Sequence, residues 1–366
     1  VQRLMQVMVK EQLSAPPHEE DDMQLWRDLY ADTEFLDDMN GMKPLDKTLA
    51  IEARKLEMEY FRKMRAYDKV PKEWATKNGK KIISTKWLDT NKGDDDRPNY
   101  RSRLVAQEVR KPWESSIFAP TPPLESLRAI LSLAATEVTG RRAHDRRGTS
   151  PNRTQVSIID IKRAYFNAFI DDDKPVFFEL PDEDPDKARG MCARNLKHMY
   201  GTRQAGAGWH DEYAGHLTDA MGFVKGEASS CVFRHRERDI VTSVYGDDFT
   251  TTGTKVNLDW FKTKLEERYE LNELARLGPG ANDDKEAKIL NSIVRRTEAG
   301  IEYEADPRQL GKLLRDLNLD DGVKSASAPG VKMTAEGLAV DEPLAQDKHT
   351  AGLRGGSGPM QPSGSR

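Results

Sequence analysis

Three aspartates carry the chemistry that this sequence offers most plainly. Asp160 closes the mostly apolar run Val156-Ser157-Ile158-Ile159, and Asp247 and Asp248 sit side by side in Val244-Tyr245-Gly246-Asp247-Asp248-Phe249. Paired acids in turns are commonly solvated, with side chains bonded to their own backbone. Here the flanks are apolar, and a carboxylate among such residues is costly to bury unless it is paired or bound to a metal. The β-branched residues before and after Asp247 predict two short strands joined by a tight turn, with Gly246 as the permissive corner. If the strand ending in Asp160 lies beside that hairpin, three hard oxygen donors meet. Such a set suits Mg²⁺, with Mn²⁺ as a substitute, and two ions about 3.5–4 Å apart would bracket a phosphate under in-line attack. Asp160 and Asp247 are expected to bridge both ions. Asp248 is expected to matter less, because a turn aims only one of two neighbours fully at a common point.

Length and composition set the frame that must hold these acids. The chain has 366 residues, 37% hydrophobic and 32% charged, with a formal charge of −4. That is polar but foldable, and long enough for two or three subdomains. No apolar run reaches about 18 residues, so no membrane partner is expected. The net charge excludes a uniformly basic coat for nucleic acid, but a local stripe of Lys and Arg is enough to neutralise phosphates. Cys192 and Cys231 lack metal-ligand spacing and read as structural thiols in a reducing compartment, with cytoplasm and nucleus not distinguished. The start at Val1, without a secretory pattern, suggests a piece of a longer reading frame.

Along the chain, residues 1–47 are acidic and poorly patterned, and are expected to form a largely disordered linker before a folded domain at 48–324. Leu49, Leu56, Tyr60, Met64 and Tyr67 recur at helical spacing and predict a packing helix over 48–67 with no chemistry in it. Segments 80–87 and 99–106 read as strands around a polar loop, and period-two alternation puts Arg101 and Arg103 on one face. The plain reading of that face is a solvated one. Thr121 is expected to cap a helix whose stripe Leu124, Leu127, Ile130, Leu131, Ala134 and Val138 supports the sheet. Residues 140–153 break the pattern as a basic insertion, expected to be a disordered loop. A further strand of the same sheet is expected over 175–181, and a helix over about 207–221. His210 and His216 lie six apart on it, which is no zinc arrangement. Asn257 is expected to cap a helix bearing Leu258, Phe261, Leu265 and Tyr269. Segments 288–294 and 300–304 predict a hairpin, and Pro307 opens a helix with Leu310, Leu313, Leu314 and Leu317. The stretch 325–366, low in apolar residues and ending in Gly, Ser and Pro, is expected to be disordered.

Several ordered blocks then point to a family: Thr85-Lys86-Trp87-Leu88, Arg101-Ser102-Arg103-Leu104-Val105-Ala106, Phe118-Ala119-Pro120, Asp160-Ile161-Lys162-Arg163-Ala164-Tyr165, Leu196-Lys197-His198-Met199-Tyr200-Gly201-Thr202-Arg203-Gln204-Ala205 and Tyr245-Gly246-Asp247-Asp248. From roughly Trp74 to Pro329 the chain resembles the reverse transcriptase of Ty1/copia-type retrotransposons. The resemblance implies an α+β right-hand polymerase fold, with fingers, an antiparallel-sheet palm and a partial thumb from about residue 305. It implies RNA-directed DNA polymerase activity, in which Asp160, Asp247 and Asp248 are catalytic and bind two Mg²⁺ while deoxynucleotides are added to a primer 3′-hydroxyl.

The same resemblance makes the basic hairpin a holder of the incoming triphosphate, with Arg103, Arg101, Lys92 and Lys86 as candidates in falling order; guanidinium forks suit phosphate oxygens. Tyr165 takes the position of an aromatic residue under the deoxyribose, where a ring would clash with a ribose 2′-hydroxyl. Its other reading is a core ring beside Phe166 and Phe169. Gln204 matches a glutamine that contacts nucleotide or template, Tyr245 and Gly246 join the substrate site, and Leu290 and Asn291 fall in the primer grip. Relatives often carry Pro-Arg before the tryptophan, whereas here Gly206-Ala207-Gly208 leads into Trp209, which removes a cation. Implied partners are a primed RNA or DNA template, deoxynucleoside triphosphates, and the ribonuclease H and integrase of a parent polyprotein. Two other readings compete. An inactive element remnant would keep the fold and at most bind nucleic acid, and a two-metal nuclease or cyclase would leave Tyr165, Gln204 and the basic hairpin unexplained.

Overall fold

The computed structural model describes residues 35–37, 44–94, 96–109, 119–136 and 154–316, in two units, Val1–Arg276 and Leu277–Arg366. In the first unit a short antiparallel pair, β1 (Phe35–Asp37) and β2 (Pro44–Asp46), stands where only linker was expected. It has a local cause. Leu45 is buried, and Asp46 Oδ1 accepts the Leu49 N–H at 2.9 Å, capping helix α1 (Lys47–Lys63). The expectations for 140–153 and 325–366 lie outside the described residues.

Helix α1 departs from its expected stripe. Ala50, Ala53, Met58 and Phe61 face inward, Leu56 is 60% exposed, and Tyr67 has left the helix for β3 (Tyr67–Pro71). Arg54 and Glu57 share the buried face, so the helix carries polar chemistry after all. After α2 (Lys72–Lys77) and β4 (Ile82–Ile83), strands β5 (Thr85–Asn91) and β6 (Tyr100–Ala106) pair antiparallel, with Leu88 opposite Arg103 and Thr90 opposite Arg101. Arg101 and Arg103 therefore share a face, as the alternation predicted. The other face is fixed to α1. Arg54 Nε reaches Asp89 Oδ1 at 3.1 Å, its Nη1 reaches Glu183 Oε1 at 3.1 Å, and Ser102 Oγ donates to Asp89 Oδ1 at 2.6 Å.

Helix α3 (Leu124–Ala135) buries Leu127, Ile130, Leu131 and Ala134, as expected. Thr121 does not cap it; Pro123 holds the N-cap with no side-chain bond, and Leu124 is half exposed. Strand β7 (Thr154–Ile161) carries the first aspartate, Asp160, one residue before its end. Strands β8 (Phe177–Phe178) and β9 (Met191–Asn195) follow, then α4 (Ala205–Gly215), which runs on into a π-helical turn at His216–Ala220. Next come β10 (Val224–Lys225), β11 (Val232–His235), β12 (Ile240–Tyr245), β13 (Asp248–Thr254), α5 (Lys255–Glu266) and β14 (Leu271–Leu277). The palm sheet has the order β10-β11-β12-β13-β7-β14, and α3 packs on β7, β12 and β13.

Two expectations fail here. Segment 175–181 does not join the palm: β8 belongs to a separate sheet in the order β3-β9-β8-β4, where the Phe178 ring meets Tyr67 at 5.2 Å. Asn257 does not cap α5, because Thr254 holds that position and Asn257 Nδ2 instead donates to Arg238 O at 2.7 Å. The palm core is as the patterning implied. Ile159, Ile161, Val244 and Phe249 meet Trp209 and Tyr213 of α4 and Phe261 and Leu265 of α5. Burial of each such side chain contributes roughly 1.5–3 kcal/mol. Cys192 and Cys231 are buried and unpaired, in keeping with structural thiols. No helix among the described residues is long and apolar enough to cross a membrane.

In the second unit β15 (Glu286–Ile289), β16 (Ser292–Arg296) and β17 (Ile301–Glu304) form an antiparallel sheet, followed by α6 (Pro307–Asp316). The single strand expected over 288–294 is broken. Leu290 and Asn291 form a two-residue loop with φ of 47° and 68°, and Ile289 pairs with Ser292 across it. Positive φ at both central residues is the pattern of a type I′ hairpin turn. Leu310 and Leu313 of α6 are exposed, and Leu317 lies outside the described residues.

Candidate metal centre and the basic face opposite it

The register of the palm brings the three acids together. Strand β13 pairs antiparallel with β7 so that Asp248 stands directly opposite Asp160, which puts both side chains on one face. Asp247 occupies the loop between Tyr245 and Asp248. Gly246 there has φ 63°, and a positive φ confined to the first loop residue is the type II′ pattern that matches the twist of flanking strands. Two hydrogen bonds to its carbonyls lock the loop: Ile161 N–H donates to Asp247 O at 2.9 Å, and the buried Trp209 Nε1–H donates to Gly246 O at 2.8 Å. One carboxylate oxygen from each of Asp160, Asp247 and Asp248 lies within 4.8 Å of the others. In the sequence Trp209 is only a landmark; its anchoring role depends on a carbonyl 37 residues away.

This cluster holds more negative charge than its surroundings offset. Burial, then Asp247 and Asp160, push the Asp248 carboxyl up to about 6. Asp160 is also raised, by burial and Asp247, and is drawn back by Arg101, Arg103 and Lys162. Three partly buried carboxylates in mutual repulsion are the donor set that a hard divalent cation relieves, so the residues present fit Mg²⁺.

The arginines that act on Asp160 belong to the fingers hairpin. Burial and the neighbouring Arg103 lower the basicity of Arg101, and Lys92 is lowered by burial and by both arginines while Asp247 and Asp160 oppose the shift. Lys92, Arg101, Arg103 and the aspartates thus share one field. Lys86 lies on the same hairpin face at its other end, opposite Val105. Tyr200 closes the space between the two sides. The Arg103 guanidinium sits over its ring at 4.2 Å, its ring meets Tyr165 edge-on at 4.9 Å, and its hydroxyl is buried without a partner. Tyr165 is half-buried on the short 3₁₀ helix Ala164–Asn167, and its hydroxyl is pushed up by burial and then by Asp247. Gln204 stands at the N-cap of α4 without a capping bond. Tyr245 is 43% exposed beside the aspartate loop. Leu290 and Asn291 belong to the second unit.

Gly206 and Gly208, which stand out against the family pattern, have a steric cause. A Cβ on Gly208 would come within 2.2 Å of His198 Nε2, and one on Gly206 within 2.8 Å of Ala119 Cβ. His198 is buried, so its ring cannot step aside. Gly208→Ala is expected to destabilise the unit by about 1–3 kcal/mol through overpacking, despite a helix-propensity gain of roughly 1 kcal/mol. Urea unfolding should read this as a lower midpoint, and the double variant Gly208→Ala/His198→Ala should recover most of the loss.

Comparison with known proteins places these features in context. Residues 69–280 match the family described as reverse transcriptase (RNA-dependent DNA polymerase). Over 242 residues the chain is 26% identical to the Retrovirus-related Pol polyprotein from transposon TNT 1-94 of Nicotiana tabacum, covering 63% of this chain and 16% of that protein. Over 247 residues it is 24% identical to the Transposon Ty1-DR1 Gag-Pol polyprotein of Saccharomyces cerevisiae, covering 65% of this chain and 12% of that protein. The chain therefore spans a small part of the relatives it matches. Among solved structures, the foamy viral protease-reverse transcriptase in complex with ds DNA aligns at 14% identity with a TM-score of 0.38, covering 76% of this chain and 38% of that one.

Proposed function

We infer the function from family and site together: the chain belongs to the family of reverse transcriptases (RNA-dependent DNA polymerases), and we propose that it adds deoxynucleotides to a primer 3′-hydroxyl on an RNA or DNA template. Its two polyprotein relatives are of Ty1/copia type, which makes it a copia-type reverse transcriptase segment. The observation that carries the proposal is the meeting of three carboxylate oxygens within 4.8 Å on a sheet whose field is shared by Lys92, Arg101 and Arg103. Asp160, Asp247 and Asp248 would hold two Mg²⁺, or Mn²⁺ in its place; bound there, the ions activate the attacking 3′-hydroxyl and stabilise the leaving pyrophosphate.

The rest of the work falls to this chain's own groups. Arg103, Arg101 and Lys92 receive the triphosphate, the first two through forked, charge-assisted bonds. Tyr165 lies under the sugar and excludes a 2′-hydroxyl, Gln204 contacts the nucleotide or template, and Tyr245 and Gly246 floor the pocket. Leu290 and Asn291 are assigned to hold the primer end. Ribonuclease H and integrase of a parent polyprotein are the expected partners.

Primer extension on an RNA template with Mg²⁺ tests the proposal. Incorporation by the wild type and none by Asp247→Asn supports it; tight binding of primed template with no extension by either favours an inactive remnant.

Metal binding should depend on pH in a defined direction. Asp248, held up at about 6, is charged above that pH and protonated below it, so protons compete with the cation. The rise in Tm caused by Mg²⁺ should be full at pH 8 and largely lost at pH 5. In the metal-free protein the same raised carboxyl contributes stability below its unfolded pKa of about 3.9 that is lost as pH rises through about 6.

A further inference from the structure

Glu57 sits on the buried face of α1, 2% exposed. Its Oε2 accepts from Arg163 Nε at 3.0 Å and Nη2 at 2.9 Å. Arg163 is the left-handed residue, φ 48°, at which the chain leaves β7 for the short helix of Tyr165. Its guanidinium lies over the Tyr60 ring at 3.4 Å, so the pair is shielded on that side. The second oxygen, Oε1, is buried without a hydrogen-bond partner. Burial raises the Glu57 carboxyl, and Arg163, Arg103 and Arg101 in turn draw it back.

A buried carboxylate with an unfilled oxygen is a costly way to occupy space, and an apolar side chain would fill the same volume without that penalty. Its position suggests why an acid is there. Through Arg163 it is tied to the turn that leads from β7 into the short helix of Tyr165.

We propose that Glu57 is a positioning residue for the nucleotide: one carboxylate oxygen fixes, through Arg163, the turn that presents Tyr165 to the sugar. The proposal rests on the polymerase reading above and adds to it a residue that touches neither substrate nor metal. It differs from a purely structural clip between Glu57 and Arg163, which would leave the nucleotide site unchanged once both partners were removed.

The test uses Glu57→Gln, which keeps volume and an acceptor but not the charge, and the double variant Glu57→Gln/Arg163→Gln, which leaves no unpaired charge at the clip. Both are expected to raise KM for the deoxynucleoside triphosphate on the order of tenfold, with kcat within about threefold of wild type. An unchanged KM in Glu57→Gln overturns the proposal, as does a wild-type KM in the double variant or a fall in kcat at constant KM. Should Glu57→Gln not fold, the double variant alone decides. Should the wild type fail to extend primers at all, the polymerase reading fails. The rise in Tm given by deoxyguanosine triphosphate with Mg²⁺ then decides this proposal separately: a smaller rise in the double variant than in wild type supports it, and an equal rise overturns it.

Discussion

Asp160→Asn is expected to lower the rate of primer extension by roughly 10³-fold, about 4 kcal/mol of transition-state stabilisation, while raising the Tm of the metal-free protein at pH 8. The two effects have one origin. Asp160 stands directly across the ladder from Asp248, and its carboxyl is raised by burial and by Asp247. Removing that charge takes away a hard ligand and also relieves repulsion among the three acids.

The sign of the stability effect follows from the direction of the shift. A carboxyl raised in the fold favours folding while it is protonated and opposes it once ionised, so the gain on replacement is present at pH 8 and shrinks toward pH 4. Opposite signs are what make the result informative. A variant that lost activity by misfolding would lose Tm as well. Extension assays beside calorimetry at pH 8 and pH 4 distinguish the cases, and retained extension by Asp160→Asn would remove this residue from the metal centre.

The aspartate site was legible because its signals are local. An apolar strand ending in an acid, and a glycine at the corner of a hairpin, specify a register in which Asp248 meets Asp160, since a slip of one residue would turn every core side chain outward. What supports the site was not legible in the same way. Arg54 and Glu57 on α1 look like solvent-facing charges to a helical-periodicity reading, and only partners far away in the sequence, Asp89, Glu183 and Arg163, make them interior. The pair Phe177-Phe178 has the composition of a strand, but composition does not say which sheet it joins. At Leu290 and Asn291 the turn uses a leucine at positive φ, where glycine or asparagine would have announced it. Gly208 looked like a lost cation and is a space for His198. For Arg54, Glu57 and Phe177-Phe178 the deciding contact is made by a residue that no local window contains.

The largest stability loss is expected at that hidden layer, from Arg54→Met. Arg54 is 9% exposed and binds two acids that are more buried still, Asp89 at 5% and Glu183 at 2%. Its guanidinium also lies 5.1 Å from the centre of the Trp87 ring. An intact buried pair is weak evidence for stability, because desolvation offsets most of its attraction, but removing one partner strands the other. Here one substitution removes the cation from two buried carboxylates, which should cost about 3–5 kcal/mol, with the whole transition shifted to lower urea. Arg54→Lys should fall between, since an ammonium keeps the charge but cannot present a fork to both acids. The loss should also reach the substrate side: Ser102, bonded to Asp89, lies between Arg101 and Arg103 on β6, so loosening that anchor frees the basic face. Below the unfolding transition, Arg54→Lys is therefore expected to raise KM for the triphosphate as well as lower the urea midpoint. An unfolding free energy within about 0.5 kcal/mol of wild type for Arg54→Met, the range of ordinary surface substitutions, would show that the buried triad does not anchor the hairpin.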